Sequence, residues 1–155
     1  MYTMAQCFLN AQPLFQAPSD FHEIGHYSLG GGIVGAEGMA RCVAWHVRHW
    51  GRLAQKLESM IDLDGSTILD NTAMTLVFEG GYGYDPEGGT EVSSHSTENM
   101  IALIAGKAGG LNAIGGQHLV MPGAHPAQVI NSAMAAVGVE EQLGEVSGTI
   151  DELFG

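Results

Sequence analysis

Ala73-Met74-Thr75-Leu76-Val77-Phe78 is an apolar run interrupted by a single hydroxyl and closed by Glu79-Gly80-Gly81. A short apolar run between turn formers reads as a strand covered on both faces. A second run, Met100-Ile101-Ala102-Leu103-Ile104-Ala105, also stops at a glycine. Cover on both faces is typical of parallel sheets, so the pair predicts parallel strands. Upstream, Met39, Val43, Val47, Trp50, Leu53, Leu57 and Ile61 recur at i+3/i+4 spacing, which predicts a helix from Ala36 to Ile61. Downstream, Gln117 to Met121 reads as a third short strand. Pro126 opens a second helix through Val137, and Gly138 stops it. Residues 5–9 read as a short strand, 11–35 and 80–98 as loops, and Gly148 to Phe154 as a closing helical turn. This order predicts an α/β fold, a layered and mostly parallel sheet flanked by helices, in a single domain over residues 1–155.

Composition narrows the function. Seventeen acidic residues against five Lys/Arg give a net charge of −12. Such a chain is not expected to track a phosphate backbone or an anionic membrane surface. No apolar run approaches the roughly 18 residues of a membrane span, and no signal peptide is legible at the N-terminus. Cys7 and Cys42 have neither CxxC spacing nor a framework count and read as buried apolar residues. The 23 glycines gather around 30–38, 80–89, 106–116 and 144–155, marking long loops between periodic segments. Arg41, Arg48, Arg52 and Lys56 all lie on the first helix and read as a solvated face.

Chemistry points to the histidines. His22 and His26 form an H-x-x-x-H pair, His95 precedes the second apolar run, and Glu79 closes the first. Imidazole and carboxylate ligate zinc- and manganese-type ions, so these four are the expected ligands of a divalent metal. In open α/β sheets ligands gather at the carboxyl ends of strands, and Glu79 is expected at such an end. His46 and His49 read as ordinary helix residues, and His118 and His125 as loop hydrogen-bonders. No phosphate-binding glycine loop, dinucleotide fingerprint or G-x-S-x-G nucleophile elbow is present.

Several blocks then share an order. They are His22-Glu23-Ile24-Gly25-His26-Tyr27-Ser28, the long helix, Asp64-Gly65, Leu69-Asp70-Asn71, the run ending at Glu79, Ser94-His95-Ser96, Asn99-Met100, Ala105-Gly106 and Gly116-Gln117-His118-Leu119. Together they resemble the C-terminal half of a bacterial family of exported proteins, domain of unknown function 1552. That family is itself similar to the alkaline phosphatase, sulfatase and phosphoglycerate mutase superfamily. The resemblance implies the C-terminal part of an alkaline-phosphatase-like domain. It also implies a metal-dependent hydrolase of phosphate or sulfate esters, with His22, His26 and His95 as metal ligands and Glu79 as ligand or catalytic base. His22 and His26 fall where the superfamily has D-x-x-x-H, Glu79-Gly80 where it has Asp-His, and His95 at its last ligand histidine. Gly80 in place of a ligand histidine departs from the pattern. The superfamily's Ser/Thr nucleophile belongs to the N-terminal half, so the resemblance implies a site incomplete in this chain. It further implies self-association or a missing N-terminal half as partner. The alternative is a non-catalytic α/β binding or scaffold module that kept the fold and lost the chemistry.

Overall fold

The structure, a computed structural model, describes residues 10, 12, 20–25, 35–78, 80, 81, 83–85, 90–93, 98–108, 110, 111 and 115–154. Helix α1 is Phe21–Gly25 and helix α2 is Gly35–Glu58. Strands β1 (Met74–Val77), β2 (Gly83–Asp85), β3 (Thr90–Ser93) and β4 (Ala102–Ala105) follow, then helix α3 (Pro126–Ala136) and a 3-10 turn at Asp151–Leu153. The chain divides into two compact units. The first comprises Met1–His49 and Gly80–Asn99, and the second Trp50–Glu79 and Met100–Gly155.

The layered parallel sheet is not what forms. Among the described residues there are two two-stranded sheets, and both are antiparallel. β1 pairs with β4 in the register Met74↔Ala105, Thr75↔Ile104, Leu76↔Leu103 and Val77↔Ala102. β2 pairs with β3 through Gly83↔Ser93 and Asp85↔Thr90, with an irregularity between Gly83 and Asp85. A parallel pair needs a crossover, usually a helix, to carry the chain back to the starting end. Between β1 and β4 the described chain instead forms the β2–β3 pair, and β4 enters antiparallel. Cover is also lighter than the apolar runs suggest. Only Met74 is buried in β1, and the rest of β1 and all of β4 are half-buried.

Other boundaries moved for local reasons. α2 stops at Glu58 rather than Ile61. The Ser59 hydroxyl donates to the Lys56 carbonyl at 2.7 Å, and the amides of Leu69 and Ile68 reach back to the carbonyls of Leu57 and Met60. The chain therefore folds back as an Ile61↔Thr67 bridge instead of continuing the helix. Gln117 to Met121 is not a strand and is mostly exposed. The stretch 80–98, expected as loop, holds β2 and β3, and α1 lies within the expected loop 11–35. The strand expected at 5–9 lies outside the described residues.

The second unit is built on α3, which packs against β1 and β4. Its helix start is fixed by a reciprocal cap. His125 Nδ1 accepts from the Ala127 amide at 3.1 Å, and the Gln128 side-chain oxygen accepts from the His125 amide at 2.8 Å. Two polar residues of α3 are fully buried and hold the segment that follows. Asn131 Nδ2 donates to the carbonyls of Val146 (3.0 Å) and Gly148 (3.3 Å), while its Oδ1 accepts from the Leu143 amide at 2.8 Å. Ser132 Oγ donates to the Gln128 carbonyl (2.7 Å) and accepts from the Ile150 amide at 2.8 Å. Met74, Ala108, Leu111, Ala133 and Ile150 are the buried apolar residues described in this unit. Leu111 bridges to Phe154 and so closes the C-terminal turn on the unit.

Gly106 sets how β4 ends. Its φ is +93°, and a Cβ there would overlap the Thr72 carbonyl oxygen and sit 2.7 Å from that of Leu69. Only glycine fits. Beside it, Lys107 Nζ binds Asp70 Oδ1 at 2.7 Å, tying the end of β4 to the turn that precedes β1.

Candidate functional site

The expected ligands fare unequally. His22 lies on α1 and is half-buried. His26, His95 and Glu79 lie outside the described residues. Among the described residues no group of three or more His, Cys, Asp or Glu is placed to hold a metal ion.

α1 is a short helix with a clear start. Asp20 Oδ1 accepts from the Glu23 amide at 2.9 Å, and the Ile24 amide donates to the Asp20 carbonyl at 3.1 Å. This is an acidic N-cap satisfying the first free amides of the helix. The i, i+3 spacing puts Phe21 and Ile24 on one face, where both are buried with Cys42 of α2, and Met39 and Trp45 pack alongside. His22, next to Phe21, is carried at the margin of this core.

α2 adds two imidazoles to the same unit. The His46 ring stands edge-on to Phe21 and to Trp45, each with ring centroids 4.9 Å away, and the His49 ring lies 4.4 Å from Trp45. His46 Nδ1 is 3.0 Å from the Cys42 carbonyl oxygen. A carbonyl only accepts, so Nδ1 carries the proton and the neutral ring has its lone pair on Nε2. A backbone carbonyl holding one ring nitrogen in this way is the usual outer partner of a metal-ligating histidine. His46 is a helix residue, as expected, with its ring packed on Phe21 and Trp45. Burial pushes the Cys42 thiol up to about 11, so it stays protonated and serves the core as a small apolar group.

The remaining acidic constellation lies in the turn from Asp62 to Asn71. Asn71 Nδ2 donates to Asp62 Oδ2 (3.0 Å), Asp64 Oδ2 (3.2 Å) and Ser66 Oγ (3.0 Å). Hydrogen bonds from the Ser66 hydroxyl and amide, and from Asn71, hold the Asp64 carboxyl below its usual range. These donors already occupy the carboxylates, and the turn reads as structural. No helix of the described residues is long and apolar enough to cross a membrane.

No protein-family model, curated protein or solved structure matches the chain. No match supports the resemblance to the alkaline phosphatase superfamily, and the antiparallel β1–β4 pair departs from the mostly parallel sheet expected.

Proposed function

We propose that the chain is a histidine-type binding module for a divalent cation of the zinc or manganese class, with His22, His26 and His95 as ligands. The observation that supports this is the make-up of the first unit. Its two sequence ranges, Met1–His49 and Gly80–Asn99, contain five of the chain's seven histidines, His22, His26 and His95 among them. Three imidazoles fill three of the four positions of tetrahedral zinc and leave one for water or another ligand. Glu79 is the last residue of the other unit's first range, and the ligand set proposed is the three histidines without it. Ester hydrolysis was implied by family resemblance only, so the reading stops at binding.

Zinc titration of the full chain by calorimetry tests it. One equivalent is expected to bind, and His22→Ala/His26→Ala/His95→Ala is expected to weaken binding at least 100-fold with an unchanged far-UV spectrum. Equal affinity in the two proteins, or no binding by the wild type, refutes the reading.

A further inference from the structure

From Val139 to Ile150 the second unit has neither helix nor strand, only a turn at Gly144–Glu145. Five hydrogen bonds nevertheless tie this segment to α3. Gln128 Nε2 donates to the Ser147 carbonyl at 3.3 Å. Asn131 takes the carbonyls of Val146 and Gly148 and the amide of Leu143, and Ser132 takes the amide of Ile150. On the α3 side every one of these groups is a side chain. On the segment's side every one is main chain. Ile150, 7% exposed, is the apolar anchor of the segment, whereas Leu143 is exposed.

A short free connection joins the segment to α3. The helix stops with Gly138 at φ +80°, and the Val139 amide makes the last bond back to it, to the Met134 carbonyl at 2.9 Å. Glu140, Glu141 and Gln142 are exposed, and their backbone groups make no hydrogen bond among the described residues. Charge does not select what α3 holds here, because Gln128, Asn131 and Ser132 are all neutral. What selects it is a set of carbonyls and amides at fixed places, with an apolar side chain at the Ile150 position. Nothing in that recognition requires the segment to come from the same molecule, and a second copy of the chain repeats every element of it.

We propose that the Gln128–Asn131–Ser132 face of α3 is a slot that reads main chain and exchanges its own Leu143–Ile150 segment for that of a second copy. Exchange of identical elements makes and breaks the same contacts, so concentration decides its extent. The tethered segment competes at an effective concentration in the mM range, as a short linker gives. With equal contacts on both sides, a free copy of the segment binds with an apparent Kd of about 1 mM, however tight the slot itself is. Whatever weakens the tethered segment alone tightens the incoming one by the same factor.

Fluorescence polarisation of a labelled peptide of residues 142–154, titrated with the full chain, tests it. Gly148 supplies the perturbation. Its φ is +89°, and a Cβ there would meet only Gln128 Nε2, at 3.5 Å, so Gly148→Ala strains the segment's backbone and leaves α3 as it is. A left-handed alanine weakens its own segment by about 5–30-fold. The wild-type peptide is expected to bind the Gly148→Ala chain more tightly than the wild-type chain by that factor. The Gly148→Ala peptide is expected to bind the wild-type chain more weakly by the same factor, an arm that needs no folded variant. The variant peptide on the variant chain should return to the wild-type affinity, because the strain then cancels. Circular dichroism checks that the variant chain folds. A wild-type peptide that does not bind the Gly148→Ala chain at about 1 mM overturns the proposal. So does an affinity that Gly148→Ala in the chain leaves unchanged. A variant pair that fails to return to the wild-type value also overturns it, since the peptide would then sit outside the slot.

Discussion

Replacing Asn131 with alanine should loosen the second unit from one buried point. The side chain is 2% exposed and makes three hydrogen bonds, two donated to the carbonyls of Val146 and Gly148 and one accepted from the Leu143 amide. All three go to a segment that has no helix or strand to satisfy it. At a net value of about 1 kcal/mol per bond, their loss comes to about 3 kcal/mol. Small additions for carbonyls left away from water, and reductions where water reaches the segment, put the expectation at about 2–4 kcal/mol. Asn131→Asp is the sharper probe. It keeps the acceptor for Leu143 but sets a carboxylate oxygen against two carbonyl oxygens, so at pH 7 it should be worse than alanine. Urea unfolding followed by circular dichroism gives the energies, and hydrogen exchange gives the location. The Leu143 amide should be protected in the wild type and exchange freely in Asn131→Ala. A loss below about 1 kcal/mol, or unchanged protection at Leu143, would refute the view that Asn131 holds this segment.

Gly106→Ala should cost about 3 kcal/mol or more, from about 1–2 for the left-handed backbone and the remainder for overlap with the Thr72 carbonyl. An unfolding midpoint equal to that of the wild type would show that the β4 end relaxes freely. The Asp70 carboxyl is lowered from 3.8 to about 2 by Lys107 and by the Thr67 hydroxyl and amide. A depressed acid stabilises the fold above its unfolded value and loses that contribution as pH falls through the folded one. The difference in urea midpoint between wild type and Asp70→Asn should therefore hold above pH 4 and vanish toward pH 2, and a pH-independent difference would contradict the Lys107 pairing.

What the sequence disclosed followed from periodicity and punctuation. The long helix, β1, β4, α3 with its Pro126 start and Gly138 stop, and the closing turn at 151–153 were legible because each has a local cause. Strand direction was not. The apolar runs at 73–78 and 100–105 report how much water the strands avoid and not which way they run. Direction was set by the β2–β3 excursion, whose glycine-rich sequence reads as loop. Gln117 to Met121 failed for a related reason. A brief apolar stretch needs a partner strand, and among the described residues it finds none. For the candidate site, His22 on α1 is the one expected ligand among the described residues.

The division of the chain has a consequence for anyone who tries to take it apart. The polypeptide leaves the first unit within α2 after His49, returns at Gly80 and leaves again after Asn99. No single cleavage frees either unit whole and alone. Residues 1–99 contain all of the first and residues 50–155 all of the second, and each fragment carries a passenger from the other. Each unit must also close a loop through foreign sequence before its interior forms. The entropic penalty of that closure grows only logarithmically with length, but folding slows as contacts become less local. The two halves are thus threaded through each other along the sequence, so a library of end truncations samples overlapping fragments and never a clean pair of pieces.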